Sequence, residues 1–156
     1  MKEKEATRDF GRWVTANMGM WTARFGSCAI EAKMMRGDRI PTSALRPHQV
    51  DSLVTAKETG IWHKIADSPV SWLKDANVRG TLRKPFDGAI VKGNAYVVVY
   101  RYVPRQRVKD REFCVVEVGE WLLMTEAAER GGKRSVTWEE VKERGHVFRS
   151  FLTYLT

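Results

Sequence analysis

The pattern of apolar and polar positions changes period along the first third of the chain. Apolar residues recur at helical spacing between Lys2 and Asn17, which predicts a first helix that ends near Gly19. The stretch WTARFGSCAIEAK (Trp21 to Lys33) is typical of a strand with a bend at Gly26. The next ten residues, MMRGDRIPTS, predict a polar loop.

A second helix is predicted directly after this loop. Pro47 suits the first turn of a helix, where its missing N–H costs nothing. Val50, Leu53 and Val54 form an apolar stripe at helical spacing, and Gly60 marks the end of the segment. The stripe indicates that this helix packs against a sheet.

The middle of the chain contains the clearest hairpin signal. IWHKIAD predicts a strand, and residues 68–84 look like an insertion that is irregular or partly helical. In PFDGAIVKGNAYVVVYRYV, two apolar runs flank Lys92-Gly93-Asn94. Glycine and asparagine tolerate the positive backbone angles of tight turns, so the two runs are predicted to pair with each other.

The last third predicts further elements of both kinds. FCVVEVGEWLLM is typical of a strand that leads into a short helix or a turn, and the final HVFRSFLTYLT fits a short helix or strand. SVTWEEVKERG predicts a helix capped by Ser135 or Thr137, with acids in its first turn. The order of elements predicts an α/β fold with a mixed central sheet flanked by helices.

Composition narrows the class of protein. A chain of 156 residues with 43% hydrophobic residues is expected to form a single domain, residues 1–156. No stretch approaches the length of a membrane span, and MKEKEATRDF does not resemble a secretory signal. Cys28 and Cys114 lie in apolar runs, which favours reduced thiols and a cytoplasmic protein. The net charge of +8 favours a polyanionic partner, most commonly nucleic acid.

Two charged residues interrupt the apolar run SCAIEAKMMRG. Glu31 and Lys33 share one face of the predicted strand because side chains alternate with period two. Such a pair is either a structural salt bridge or part of a site. Metal-assisted phosphodiester hydrolysis needs carboxylates for a cation and a positive charge near the phosphate. Asp87, at the mouth of the predicted hairpin, would supply a second carboxylate.

The motifs around this pair resemble a known nuclease superfamily. Pro-Phe-Asp (residues 85–87) and Glu-Ala-Lys (residues 31–33) are similar to the PD-(D/E)xK signature, although here the aspartate follows the Glu-x-Lys strand. From Cys28 to Tyr102 the order AIEAK, SALRPHQ, HKIAD and KPFD resembles phage-encoded Holliday junction resolvases of the archaeal-resolvase-like branch. For Asp87 to meet Glu31, the later hairpin must lie beside the earlier strand.

The resemblance implies a restriction-endonuclease-like fold and a Mg²⁺-dependent endonuclease, in which Mn²⁺ is expected to substitute. Lys33 would position the attacking water or the phosphate, and Gln49 would hydrogen-bond near the scissile group. The implied metal ligands are Asp87, Glu31, the backbone carbonyl of Ala32 and Glu5.

The expected substrate is branched DNA, in particular four-way junctions, processed during recombination or repair. A nearly two-fold junction cut symmetrically implies a homodimer, and a phage origin implies the host cytoplasm. The candidate DNA-binding residues are Arg36, Arg39, Lys84, Arg105, Arg107, Lys109 and Arg111. Two alternatives stay open: a repair or restriction-type nuclease acting on duplex or flapped DNA, and a DNA-binding protein without catalytic activity.

Overall fold

A mixed six-stranded sheet with helices on both faces forms the centre of the protein, as predicted for an α/β chain. The computed structural model describes residues 8, 10–14, 18–26, 28–64, 88–106 and 111–149. The helices are α1 (residues 10–14), α2 (Met18–Phe25), α3 (Pro47–Glu58), α4 (Val118–Arg130) and α5 (Trp138–Glu143), with a 3₁₀ turn at Thr42–Ala44. Among these helices none is both long enough and apolar enough to cross a membrane.

Two sheets account for the strands of the described residues. The strands are β1 (Cys28–Arg36), β2 (Arg39–Pro41), β3 (Ile61–Lys64), β4 (Gly88–Val91), β5 (Asn94–Tyr102), β6 (Glu112–Glu117), β7 (Ser135–Thr137) and β8 (Gly145–Arg149). The large sheet has the order β7-β2-β1-β5-β6-β8, and β3 pairs with β4 in a separate ribbon. Within the large sheet β1 and β5 run parallel, whereas its other neighbouring strands are antiparallel.

The core lies on both faces of the sheet because β5 and β6 are apolar on both sides. One face packs under α3, α4 and α5 around Val97, Val99 and Trp121. The other face packs around Phe113 and Val115, where α1 contributes the aromatic rings of Phe10 and Trp13. Nearly continuous burial along β5 fits a central strand covered by two layers.

The predicted second helix is confirmed. Pro47 is the first residue of α3, and Leu53 is buried against the sheet with Val50 packed beside the same cluster. Gly60 has a φ of +88°, which suits a glycine directly after the end of a helix. The strand predicted at IWHKIAD is found as β3 over its first four residues, and its other three lie outside the described residues.

Two predictions for the first third of the chain were wrong. Trp21–Phe25 was expected to begin a strand, but it belongs to α2, which also contains Gly19. Gly26, with a φ of +62°, follows the helix end and does not bend a strand, although both roles favour glycine. The expected polar loop at residues 34–43 is largely strand, because β1 continues to Arg36 and β2 follows a tight turn.

The predicted hairpin was also wrong, although both of its strands exist. β4 pairs with β3, and β5 pairs with β1 and β6. Positive φ angles are absent at Gly93 and Asn94, so the intervening residues do not form the expected tight turn. β5 is nine residues long and buried, and it obtains more hydrogen bonds from its nine-residue pairing with β1 than the four residues of β4 could offer.

The predictions for the last third are confirmed in kind. β6 leads directly into a helix, although α4 is longer than the short helix expected. Thr137 caps α5, whereas Ser135 belongs to β7. The start of the final apolar segment forms β8, and residues 150–156 lie outside the described residues.

The cap of α5 makes a pH-dependent contribution to stability. The carboxylate of Glu140 accepts hydrogen bonds from the Thr137 backbone N–H (2.7 Å) and hydroxyl (2.9 Å). These bonds, the backbone bond first, lower the pKa of Glu140 from 4.5 to about 2. A carboxyl with a lowered folded-state pKa stabilises the protein above its unfolded value, and this contribution is lost as the pH falls toward 2.

We therefore expect Glu140→Gln to lower the free energy of unfolding by about 1 kcal/mol at pH 7, the usual value of a cap. The difference from wild type should shrink between pH 4.5 and about 2, where wild-type Glu140 is neutralised. Urea unfolding at pH 7, 4 and 2.5 measures it. Glu126→Gln, which changes an exposed residue of α4, is the matched control, and an equal pH trend in that variant would contradict the assignment.

Candidate functional site

Strand β1 directs Glu31 and Lys33 toward helix α3. Ala29 and Met35 on the same face of β1 pack in the core cluster that contains Leu53 of α3. Glu31 and Lys33 lie between these apolar positions and share their face. The parallel pairing of β1 with β5 fixes this register, since Glu31 is opposite Val97. The charged pair is therefore held on the face of β1 that packs against α3.

Gln49 joins the two charged residues into one network. Its Nε2 donates to Glu31 Oε1 over 2.7 Å, and its Oε1 accepts from Lys33 Nζ over 3.0 Å. Lys33 Nζ also lies 3.0 Å from Glu31 Oε1. The Glu31 side chain is 30% exposed and that of Lys33 only 14%, so the lysine is the more buried member of the pair.

The orientation of the Gln49 amide is fixed by Glu31, Lys33 and the backbone N–H of Arg46. Its oxygen also accepts from the backbone N–H of Arg46 over 3.0 Å, while its own backbone N–H donates to the Arg46 carbonyl over 2.9 Å. A flipped amide would place its NH₂ against two donors and its oxygen against a carboxylate. Gln49 thus caps the start of α3 and holds Glu31 at the same time.

An open cleft of about 590 Å³ lies in front of this network. It is lined by Phe10, Gly11, Ile30, Glu31, Ala32, Lys33, Arg46 and Gln49. Its lining includes four consecutive residues of β1, Ile30 to Lys33, and none of β5. Of the strands in the described part of the chain, only β2 pairs with the edge of β1 that faces away from β5, and only at Arg36. The backbone of β1 and the Glu31 carboxylate therefore border the cleft.

The predicted catalytic residues are brought together as far as they are described. Glu31, Lys33 and Gln49 are in mutual contact, and Ala32 lines the cleft beside them. Asp87 and Glu5 lie outside the described residues, as do Lys84, Arg107 and Lys109. The strand that follows Asp87 in sequence, β4, pairs with β3 and is not a neighbour of β1.

The described basic candidates lie at the other end of β1. Arg36 and Arg39 are exposed and pair across the β1–β2 turn, and Arg105 follows β5, which ends level with Arg36. Arg111 precedes β6 and is partly buried. Arg36 lies five residues after Glu31 along β1, which corresponds to about 16 Å. These arginines therefore form a basic margin separate from the cleft.

Sequence reasoning missed several residues of the cleft. Phe10 was predicted as part of a helix face, and its second role in lining the cleft depends on how α1 packs. Arg46 carries a signal that was overlooked, because arginine is an unusual residue directly before the first turn of a helix. His48, which matches a motif of the resemblance, is exposed and is not among the lining residues.

The donor atoms at the cleft define what it could bind. Glu31 Oε1 is occupied by Gln49 and Lys33, while no described residue bonds to its Oε2. No three described His, Cys, Asp or Glu residues form a metal-binding group. One carboxylate oxygen in an open cleft suits a hard cation that retains most of its waters, such as Mg²⁺. The lysine and glutamine beside it suit an anionic oxygen.

Comparisons with other proteins assign no family to this chain. The sequence matches no known family model and no curated protein.

Proposed function

We propose that the protein is a metal-dependent DNA endonuclease of the restriction-endonuclease-like fold. The observation that carries the proposal is the convergence of Glu31, Lys33 and Gln49 at an open cleft beside β1. A salt bridge that served stability alone would need neither the glutamine nor the cleft. The net charge of +8 supports a polyanionic substrate.

Magnesium fits the donor set of the cleft. Glu31 would hold the ion through the oxygen that Gln49 and Lys33 leave open, and the Ala32 carbonyl would be a further ligand of the same strand. Asp87 and Glu5 are proposed to complete the set. A bound Mg²⁺ supplies a Lewis acid for the phosphate and lowers the pKa of a coordinated water.

The side chains of the chain itself would orient the reactants. Lys33, held 3.0 Å from both Glu31 and Gln49, places a positive charge beside any phosphate in the cleft. It would offset the charge that develops on the phosphate oxygens. Gln49 holds one oxygen of the Glu31 carboxylate, which would leave the second oxygen for the metal.

We propose four-way junctions as the substrate and a homodimer as the active species. Two symmetric nicks require two active sites, and a two-fold dimer supplies them. Arg36, about 16 Å along β1 from Glu31, and Arg39 and Arg105 beside it would contact backbone phosphates several nucleotides away from the cleaved bond. Such contacts position DNA without reading its sequence.

The decisive experiment uses a labelled synthetic four-way junction, with linear duplex, flap and single strand as controls. Each substrate is incubated with and without Mg²⁺, with wild type and with Asp87→Asn. Paired nicks in the junction alone, lost in the variant, would support the proposal and the role of Asp87. Cleavage of duplex or flap would favour a repair or restriction-type nuclease. Binding without cleavage by any metal would indicate a DNA-binding protein that is not an enzyme.

Gln49→Ala should weaken the metal site more than the fold. We expect cleavage at limiting Mg²⁺ to fall on the order of 10–100-fold, since a residue that orients a metal ligand contributes about this much. The Mg²⁺ concentration that gives half-maximal rate should rise.

Ser52→Ala is the control, because Ser52 lies on the same helix, its hydroxyl donates to the His48 carbonyl, and it does not line the cleft. In Gln49→Ala, loss of the capping contact with Arg46 should lower the melting temperature slightly. An unchanged Mg²⁺ dependence combined with a lower melting temperature would show that Gln49 is only a helix cap.

A further inference from the structure

The guanidinium of Arg46 is a cation at the cleft that the fold itself does not use. Arg46 lines the cleft with Glu31, Lys33 and Gln49, and its side chain is exposed. Within the part of the chain that is described, its guanidinium makes no ion pair and no hydrogen bond to another side chain. Arg101 and Arg144, in contrast, pair with Asp38 and Glu120.

The position of Arg46 is unfavourable for helix stability. It occupies the cap position before α3, where Ser, Thr, Asp and Asn are preferred, and its side chain makes no capping bond. The start of a helix is its positive end, which disfavours a cation. The first turn of α3 contains no acidic residue to offset the charge. Local stability therefore gives no reason for an arginine here.

The other cation of the cleft is already engaged. Lys33 Nζ lies 3.0 Å from both Glu31 and Gln49 and is mostly buried. Of the two basic residues that line the cleft, Arg46 is therefore the one whose side chain can still turn toward an incoming anion. The guanidinium presents a planar fork of donors that matches two oxygens of one phosphate.

We propose that Arg46 binds the backbone phosphate of a nucleic-acid strand at the mouth of the cleft and thereby positions the strand over Glu31. The inference rests on the proposed function and names the contact that places the scissile strand. The backbone N–H of Arg46 holds Gln49, whereas the guanidinium would hold the substrate. Substitution of the side chain keeps the N–H, so the two roles can be separated.

The test measures DNA binding and cleavage in parallel. Binding of a fluorescent four-way junction is followed by anisotropy in Ca²⁺ at several salt concentrations, and cleavage is followed in Mg²⁺. Arg46→Ala should raise Kd about tenfold and reduce the slope of log K against log salt by about 1. Arg46→Lys should restore the slope but not the full affinity, because lysine lacks the fork.

Arg130→Ala is the matched control for the loss of one positive charge. Arg130 is exposed in the last turn of α4 and does not line the cleft. It should change Kd by less than about twofold, because a distant exposed charge is screened by salt. Equal effects of Arg46→Ala and Arg130→Ala on Kd and salt slope would overturn the assignment of Arg46, even where the wild type cleaves DNA.

The failure of this inference and that of the proposed function are distinguishable. A wild type that binds DNA through Arg46 but cleaves nothing with any metal would overturn the nuclease and keep the phosphate contact. If the wild type cleaves DNA and Arg46→Ala binds it normally, the phosphate contact of Arg46 would be overturned and the nuclease would be kept. A wild type that neither binds nor cleaves DNA would overturn both.

Discussion

Glu31→Gln should abolish cleavage while leaving the fold intact. The substitution keeps the shape of the side chain and the oxygen that accepts from Gln49 Nε2 over 2.7 Å. It removes the negative charge that would hold Mg²⁺ and that pairs with Lys33. Since a bound metal supplies several kcal/mol of charge stabilisation in the transition state, we expect the rate to fall by on the order of 10³ or more.

The measurement is single-turnover cleavage of a four-way junction, with anisotropy binding and thermal unfolding on the same preparations. Glu139→Gln is the control, because Glu139 forms a 2.7 Å ion pair with Lys142 on α5, outside the cleft. It should retain the wild-type rate. Binding of DNA by Glu31→Gln should be at least as tight as wild type, because one negative charge near the phosphate is gone.

A rate for Glu31→Gln within about tenfold of wild type would exclude Glu31 as a metal ligand, since loss of a charged ligand costs more than that. In that case the 3.0 Å contact with Lys33 would be a structural ion pair. Such a pair, with one partner 30% exposed, stabilises a protein only slightly. The melting temperature would then change little in the same variant. Neither Glu31 nor Lys33 would then be assigned a role in cleavage.

Local periodicity was sufficient to predict the central part of the site. Period-two alternation placed Glu31 and Lys33 on one face, and Pro47 fixed the start of α3, two residues before Gln49. These features depend on neighbouring residues in sequence. The contact of Gln49 with Glu31 joins residues 18 apart and was anticipated only through the resemblance, because no local pattern specifies which helix residue faces a strand.

Long-range pairing could not be predicted in the same way. The two apolar runs around Gly93 fit a hairpin by every local criterion, yet β5 pairs in parallel with β1. A parallel pair joins residues such as Glu31 and Val97 that are distant in sequence, and its advantage comes from burial of a whole strand on both faces. The residues of a short turn do not show whether β5 pairs with β4 or with the more distant β1.

The corrected topology changes what must be explained about Asp87. For Asp87 to meet Glu31, the strand directly after Asp87 was expected to lie beside β1. The structure instead places β5 beside β1. The strand directly after Asp87 is β4, in the ribbon with β3. A second carboxylate would have to reach the cleft beside Glu31. Asp87→Asn therefore tests the ligand set independently of Glu31→Gln.

Gly145→Ala should destabilise the protein more than the other single substitutions considered. A Cβ at this position would lie 2.6 Å from Cys114 Sγ, 2.7 Å from the Val115 carbonyl oxygen and 2.8 Å from Val116 Cγ2. Gly145 pairs with Val116 where β8 meets the buried strand β6. Overpacking of this kind costs about 1–3 kcal/mol, and more where backbone must move.

Urea unfolding measures the effect, with Gly11→Ala as the control, because a Cβ on Gly11 meets nothing within 4 Å. In a helix that control should be neutral or stabilising by up to about 1 kcal/mol. Removal of the thiol in Cys114→Ala should recover only part of the loss in Gly145→Ala, since the carbonyl of Val115 stays 2.7 Å from the added carbon. Full recovery in the double variant would show that the thiol alone sets the limit. An unchanged free energy of unfolding in Gly145→Ala would mean that β8 does not lie as close to β6 as the pairing of Gly145 with Val116 requires.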